Sequence, residues 1–281
     1  MSRRMDLAAR ATPRLAANHW EPRLALDQLR KLDHRRVPSR LRGCTISEHV
    51  VAGTTCGVII PKRALPKGTT LFAHGGAYVA GPSLWQWEFA AQLARGVATT
   101  VVVPLYRRAP EDPFPAAFED LAAIIDILSP DTLVGESSGG GLLTAVTLER
   151  GLTSRLVLHS PWLDLDMNRP GLDSTIDPVL SAAGLGDAAG LYTDGLDPAD
   201  PRLSPIHGDL TRLPRTLLFA GTRDIMLADC RAFRDLATQA GTMIDYAEIS
   251  GAIHAGTARP GFPEATRAMA RTAAFLSPKA A

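Results

Sequence analysis

Cysteine is scarce in this sequence. Only three of its 281 residues are cysteines, Cys44, Cys56 and Cys230, and no two of them form a Cys-x-x-Cys pair. An odd, scattered set of this kind excludes a disulfide framework and a cysteine-based zinc site. We therefore expect the three thiols to be small core residues of a protein that works in a reducing compartment, the cytoplasm.

An excess of charge and a long apolar run are also missing. The 30 lysines and arginines nearly balance the 29 aspartates and glutamates, which leaves a net charge of +1. That balance provides no broad field for binding nucleic acid or an anionic membrane surface. No uncharged apolar run reaches the ~18 residues of a membrane helix, so we expect no membrane span. The arginine-containing start has no apolar stretch, which excludes a secretory signal; a transit peptide is the alternative there, and Asp6 counts against it.

Short apolar, β-branched segments alternate with segments of helical length along most of the chain. Because the segments are apolar throughout and do not alternate with polar residues, they are typical of parallel strands covered on both faces. The sequence therefore predicts an α/β fold in which helices cover both faces of a mostly parallel sheet. The predicted strands are Thr45–Val51, Gly57–Ile60, Thr69–Ala73, Thr99–Val103, Thr132–Gly135, Arg155–His159, Thr216–Ala220 and Met243–Ile249. The predicted helices are Trp85–Arg95, Ala116–Leu128, Leu142–Arg150, Leu227–Gln239 and Pro263–Leu276.

Two segments interrupt this alternation. Residues 1–42 are charged and helical in pattern, and Pro22 fits a first helical position. The segment from Asp164 to Leu210 is rich in Asp, Pro and Gly, with at most one or two short helices expected, around Ala182–Tyr192. A long insertion at the ends of sheet strands is usually functional, so we expect this one to form a lid or a wall of a binding site.

A Gly-x-Ser-x-Gly pattern with Ser137 at its centre lies between a predicted strand and a predicted helix, in "TLVGESSGGG". This is the pattern of a nucleophile elbow, a sharp turn that raises a serine hydroxyl above the sheet edge. Gly135 and Gly139 flank the serine because a Cβ there would meet neighbouring chain. The alternative is a phosphate-binding helix start, but the stretch lacks the Lys-Ser/Thr of a P-loop and the Gly-x-Gly-x-x-Gly spacing. We expect Ser137 to be a nucleophile.

A serine hydroxyl needs a base, and the base needs an orienting acid. Asp224 follows one predicted strand, and His254 follows the next, 30 residues later. Both residues should lie at the same sheet edge as Ser137, in the chain order Ser, acid, His that this kind of elbow uses. We predict these three residues to form a catalytic triad. The alternatives are Asp229 as acid and His159 or His207 as base.

The stretch "HGGAYVAG", His74 to Gly81, begins where an apolar strand ends. Attack on an ester carbonyl places negative charge on oxygen, and backbone N–H groups must already point at it. We assign Gly75, Gly76, Ala77 and Ser138 to an oxyanion hole, with the N–H groups of the last three as its donors. A simple turn is the alternative for this glycine pair.

The aromatic residues Tyr78 and Trp85 follow the oxyanion stretch. Both are candidates for lining a substrate pocket, and core packing is the alternative. A second pattern, "DLDMNRPGLD" from Asp164, begins like a calcium-binding loop. Its sixth position is Arg169 where glycine is needed, and its twelfth is Thr175 where glutamate is needed. We therefore expect no metal, and the chemistry above needs no cofactor.

Three further stretches extend the pattern: "YRRAPEDPFPAAFED" (Tyr106–Asp120), "SPWLDL" (Ser160–Leu165) and the run Leu203–Asp224. Together with the elbow and the His-Gly-Gly stretch, they resemble the bacterial hormone-sensitive-lipase-like esterases of the α/β-hydrolase superfamily. The likeness covers about residues 60–275.

The resemblance implies an α/β-hydrolase fold and a serine carboxylesterase that uses the same Ser-His-Asp triad on short- to medium-chain esters. It implies an N-terminal helical cap segment, 1–42, and a catalytic domain, 43–281, with a cap insertion at about 165–210. In this family, the positions of Glu111 and Glu136 are scaffolding near the site. The sequence departs from the family at Ala77, Arg108, Glu136 and Ala255, and none of these changes removes a catalytic group.

Other functions stay open at this point. The same triad could hydrolyse a lactone, an amide or a polyester, because the cap selects the substrate. A small-molecule receptor on an inactive hydrolase scaffold is a further alternative, and the presence of His254 counts against it. We expect a small-molecule ester as partner and no nucleic acid, and we leave a homodimer open.

Overall fold

The computed structural model describes residues 2, 4, 5, 30, 36–169, 172 and 177–277. Within that part, strands and helices alternate as the sequence predicts. The strands are β1 (Cys44–Val51), β2 (Thr54–Pro61), β3 (Thr69–Ala73), β4 (Thr100–Pro104), β5 (Thr132–Glu136), β6 (Arg155–His159), β7 (Thr216–Arg223) and β8 (Ile244–Ile253). The helices with described bounds are α1 (Leu84–Val97), α2 (Ala116–Leu128), α3 (Ser138–Arg150), α4 (Ala182–Thr193), α5 (Leu227–Gln239) and α6 (Pro263–Leu276).

The strands form one sheet in the order β1-β2-β4-β3-β5-β6-β7-β8. β2 pairs antiparallel with both β1 and β4, and the remaining pairs are parallel. The predicted α/β-hydrolase fold with a mostly parallel sheet is confirmed. In this topology the carboxyl ends of β3, β5, β7 and β8 lie at one edge, and loops at that edge are where open α/β sheets bind ligands.

The core has two halves, one on each face of the sheet. Neighbouring residues of a strand point to opposite faces, and on β5 Leu133 packs with one apolar cluster while Val134 packs with the other. Phe118 of α2 lies in the first cluster, and Phe89 of α1 and Phe275 of α6 lie in the second. Strands covered on both faces need apolar residues at every position, which explains why their sequences do not alternate. The three cysteines are buried free thiols, as predicted.

Two predicted bounds near the site differ from the observed ones by about one helical turn or more of chain. Helix α3 begins at Ser138 and not at Leu142, because Gly139, Gly140 and Gly141 are helical although glycine disfavours a helix. Strand β8 runs on to Ile253, beyond the predicted end at Ile249. The helix therefore begins directly after Ser137 and the strand ends directly before His254, two of the predicted catalytic residues.

The two interrupting segments are only partly described. The predicted N-terminal segment 1–42, with Pro22, lies largely outside the described residues. In the insertion, the expected short helix is present as α4, while residues 170, 171 and 173–176 are outside the described part. Among the described residues, no helix has the length and apolar character that crossing a bilayer requires.

Candidate active site

Ser137 lies on the turn between β5 and α3 with φ 54° and ψ −125°. This is a strained backbone conformation for a residue other than glycine. Its N–H donates to the carbonyl of His159, and its carbonyl accepts hydrogen bonds from the N–H groups of Gly140 and Trp162. The neighbouring strand and loop therefore hold the turn in a shape that presents the serine side chain to the sheet edge.

Gly139 allows α3 to approach the neighbouring strand β3 closely. A Cβ at this position would overlap the carbonyl oxygens of Ala73 and His74. The helix can start directly after Ser137 only because residue 139 has no side chain. The glycine required by the Gly-x-Ser-x-Gly pattern thus has a local steric reason.

The structure brings Ser137, His254 and Asp224 into one hydrogen-bonded chain. The Nε2 atom of His254 is 2.9 Å from Oγ of Ser137, and its Nδ1 atom is 2.9 Å from Oδ1 of Asp224. Asp224 and His254 directly follow β7 and β8, so the parallel strands deliver them to the edge that holds Ser137. The same Oδ1 atom accepts a hydrogen bond from the N–H of Met226, which fixes the carboxylate. The order of contacts is that of nucleophile, base and orienting acid.

Nearby carboxylates raise the pKa of His254. Burial acts to lower this pKa, but the charges of Asp224 and Asp177, and the hydrogen bond to Asp224, outweigh burial, so the net shift is upward. Burial acts to raise the pKa of Asp224, but the imidazole of His254 and the hydrogen bonds to the carboxylate lower it overall. The arrangement therefore stabilises the imidazolium that forms when His254 takes a proton.

The alternative acid and bases lie elsewhere. Asp229 forms an ion pair with Arg169, whose Nε is 3.1 Å from its Oδ1 atom. His159 packs among aromatic rings beside the hydroxyl of Thr257, and burial lowers its pKa to about 3. His207 lies 3.8 Å from a carboxylate oxygen of the insertion. None of these three side chains has a hydrogen bond to Ser137 in the described structure, and His159 contacts Ser137 only through its backbone carbonyl.

The predicted oxyanion stretch lines the same cavity as Ser137. The N–H of Gly75 donates to Oε2 of Glu136 at 2.9 Å, so Gly75 braces the loop and is not free to bind an oxyanion. The N–H groups of Gly76, Ala77 and Ser138 have no acceptor within the described part of the chain. Gly76 and Ala77 line the cavity that contains Ser137, and Ser138 is its chain neighbour, so these N–H groups are candidates to bind charge that develops there.

Glu136 is a structural residue that the sequence marks only weakly. Its carboxylate is 2% exposed, and its Oε2 atom accepts hydrogen bonds from Gly75 and from Nε2 of Gln86, at 2.9 and 2.6 Å. Burial raises the pKa of Glu136. The side chain ties the oxyanion loop and α1 to the end of β5, next to the nucleophile.

A cavity of about 240 Å³ opens above the triad. Its walls include Trp85 and, from the insertion, Val179, Leu180 and Leu185. The insertion therefore forms a wall of this cavity, as a binding segment at the strand ends would. Its apolar residues favour an uncharged, hydrocarbon part of a ligand on that side.

The two aromatic residues that were candidates for lining a pocket, Trp85 and Tyr78, lie in different surroundings. Trp85 lines the cavity. Tyr78 is 1% exposed and stacks on Tyr192, with ring centroids 3.9 Å apart and planes inclined by 5°. Of the two alternatives left open for Tyr78, the structure favours core packing over pocket lining, because its ring is buried and α4 covers it.

Asp177, Asp224 and His254 offer three potential metal-ligand atoms within 4.8 Å of one another. Both ring nitrogens of His254 are engaged by Ser137 and Asp224, so a metal ion would have to break the chain of hydrogen bonds described above. The donor set suits the proton-transfer chain better than a cation. That this site uses no metal stays a prediction.

Comparison with known proteins supports the family. The family model described as alpha/beta hydrolase fold matches residues 70–257. An acetyl-hydrolase of Streptomyces hygroscopicus is 35% identical over 225 residues, which cover 74% of this chain and 75% of that protein. An esterase of Acinetobacter venetianus is 30% identical over 279 residues, which cover 94% of this chain and 89% of that protein. The crystal structure of an esterase from the bacterial hormone-sensitive lipase family is similar, with a TM-score of 0.79, 29% identity, and coverage of 97% of this chain and 94% of that one.

The chain belongs to the α/β-hydrolase family, and within it to the group similar to bacterial hormone-sensitive lipases. It is an enzyme of the carboxylic ester hydrolase class. The family resemblance drawn from the motifs at Tyr106–Asp120 and Ser160–Leu165 is confirmed.

Proposed function

We propose that this enzyme is a serine carboxylesterase that hydrolyses short- to medium-chain esters through an acyl-enzyme intermediate on Ser137. The observation that carries the proposal is the chain of two 2.9 Å contacts from Ser137 through His254 to Asp224, open to a cavity. Three unpaired backbone N–H groups beside the serine supply the complementary oxyanion site. Hydrolase relatives named acetyl-hydrolase and esterase support the same class of reaction.

The proposed reaction has two steps. His254 takes the hydroxyl proton as Oγ of Ser137 attacks the ester carbonyl, and Asp224 holds the imidazole in the productive tautomer. The N–H groups of Gly76, Ala77 and Ser138 bind the oxyanion. The alcohol leaves with the proton from His254, which leaves an acyl group on the serine. A water molecule, deprotonated by the same imidazole, then releases the acid and restores the serine.

The shape of the cavity supports small acyl groups. Trp85 and the apolar residues of the insertion form its walls, and the whole cavity is about 240 Å³. A long acyl chain would not fit within this volume. We therefore expect turnover to peak at short or medium chains and to fall for long ones.

The test is hydrolysis of p-nitrophenyl esters from acetate to palmitate by the wild type and by Ser137→Ala. The mutant should lose on the order of 10⁴-fold or more in turnover, because the nucleophile is gone. Ser47→Ala, an exposed serine on β1, is the matched control and should keep wild-type activity. Unchanged turnover in Ser137→Ala would overturn the proposal. If the wild type hydrolysed only lactones or amides, the same triad would act on another substrate class.

A further inference from the structure

Arg259 lies in the wall of the cavity that contains Ser137 and His254. It follows the histidine by five residues, in the turns between β8 and α6. Its guanidinium carbon is 5.8 Å from the ring centroid of Trp85 and 6.0 Å from that of Phe262. These distances are at the outer limit of cation–π contact, so the rings flank the cation without neutralising it. Since Trp85 also lines the cavity, the charge lies at the cavity and not behind it.

The side chain of Arg259 has no hydrogen bond and no ion pair within the described part of the chain. Other partly buried arginines are paired: Arg169 with Asp229, and Arg30 with Glu111. Burial lowers the pKa of Arg259, because removal of water disfavours the charged form. A guanidinium nevertheless stays charged in proteins and carries five N–H donors. A capacity to bind an anion therefore remains unused beside the reactive serine.

Glu136 is the one carboxylate among the described residues that line this cavity. Its charge attracts Arg259, but the two side chains form no ion pair. Its Oε2 atom already accepts hydrogen bonds from Gly75 and Gln86. Burial raises the pKa of Glu136, which weakens it further as a counter-ion. Within the described residues, the protein therefore provides no direct partner for the guanidinium.

We infer that Arg259 binds a carboxylate of the substrate, so that the esters hydrolysed best are half-esters of short dicarboxylic acids. The inference rests on the proposed function, because it names the substrate class of the same site. A carboxylate matches the planar, two-donor geometry of a guanidinium. The apolar side chains of Leu180 and Leu185 are suited to cover the methylene groups between the two ends. Hydrolysis consumes one water, releases the alcohol and leaves the dicarboxylate.

The experiment compares two esters that differ in charge but little in shape, monomethyl glutarate and methyl 5-methylhexanoate, by titration of the acid released. We expect the wild type to favour the charged ester in kcat/KM. Arg259→Gln should lower kcat/KM for the charged ester by about 10- to 100-fold, the range of one charge-assisted hydrogen bond. It should change kcat/KM for the neutral ester by less than about threefold, because that ester makes no such bond. The loss should appear mainly in KM.

Arg259→Lys keeps the charge without the planar fork and should recover part of the preference. Arg267→Gln removes an exposed arginine of α6 and serves as the matched control. Equal losses for both esters in Arg259→Gln would overturn the inference and assign Arg259 to the scaffold. Wild-type turnover of both esters at the same rate would also overturn it, while leaving the proposed esterase intact.

A binding measurement separates this inference from the catalytic proposal. Ser137→Ala should bind monomethyl glutarate in isothermal titration calorimetry, and Ser137→Ala/Arg259→Gln should bind it at least about tenfold more weakly. This readout needs no turnover, so it applies even if neither ester is hydrolysed. Equal affinity of the two variants, or no binding to Ser137→Ala, would overturn the role of Arg259.

Discussion

The carboxylate of Asp177 accepts a hydrogen bond at 2.9 Å from the backbone N–H of Ile225, the residue directly after Asp224. Its other oxygen accepts hydrogen bonds from the N–H groups of Val179 and Leu180, which begin the insertion's wall of the cavity. One side chain thus joins the wall of the cavity to the loop that carries the catalytic acid. No local sequence pattern marks Asp177, because its partner lies 48 residues further along the chain.

The raised pKa of His254 predicts an alkaline pH profile. A protonated imidazole cannot act as base, so activity needs the neutral form. Because the net pKa shift of His254 is upward, the acid limb of kcat/KM should have its midpoint above the ordinary histidine pKa of about 6.5. A kcat/KM profile for p-nitrophenyl butyrate checks this. A midpoint well below 6.5 would contradict the assigned electrostatics of the site.

Asp177→Asn should shift the midpoint of the acid limb of the kcat/KM profile to lower pH. The negative charge of Asp177 stabilises the imidazolium, so its removal lowers the pKa of His254 and leaves the histidine neutral at lower pH. The amide would also lose the bond to Ile225, at a cost of about 1 kcal/mol in the free energy of unfolding. Asp245→Asn, an exposed residue of β8, should shift neither quantity. An unchanged midpoint in Asp177→Asn would show that the charge of Asp177 does not raise the pKa of His254.

Glu136 should support the oxyanion loop through its hydrogen bonds more than through its charge. Glu136→Ala leaves the Gly75 N–H and the Gln86 amide without an acceptor and should lower stability by ~1–3 kcal/mol, with a fall in kcat. Glu136→Gln keeps an oxygen where both donors meet and should stay much closer to the wild type. Thermal unfolding and kcat on p-nitrophenyl butyrate measure both effects. Equal stability and equal kcat in the two variants would show that an acceptor oxygen at residue 136 does not support the loop.

Gly139→Ala should destabilise the protein and abolish its activity, whereas Gly190→Ala should be tolerated. A Cβ on Gly139 meets two backbone carbonyl oxygens, and backbone cannot move aside as a side chain can. Gly190 lies exposed in α4 with nothing within 4 Å of a Cβ, so alanine there should stabilise by about 0.5–1 kcal/mol. Expression, melting temperature and esterase activity of the pair decide this. Normal activity in Gly139→Ala would contradict the close packing of the elbow.

The sequence was sufficient for the parts of the site that depend on chain order and strand ends. Ser137, Asp224 and His254 each follow a strand, and parallel strands end at a common edge, so their meeting could be predicted. The direction in which a side chain points could not. Tyr78 lies only one residue after Ala77, yet its ring turns into the core against Tyr192.

Long-range pairing was the other property hidden from the sequence. Gly75 belongs to the predicted oxyanion stretch, but the sequence does not show which group its own N–H binds. That N–H donates to a carboxylate 61 residues away. No motif marks Arg259, and only the positions of the surrounding side chains show that none of the described residues pairs with it directly. Such features depend on which groups meet in space, and no local pattern encodes them.

The most direct test of this account is covalent trapping of the nucleophile. The wild type would be treated with an alkyl fluorophosphonate, and the labelled residue would be located by peptide mass mapping. We predict one adduct per chain, on the peptide that contains Ser137, with no labelling of Ser137→Ala and much slower labelling of His254→Gln. An adduct on any other residue, or labelling of Ser137→Ala at the wild-type rate, would contradict the assignment of Ser137 as the nucleophile.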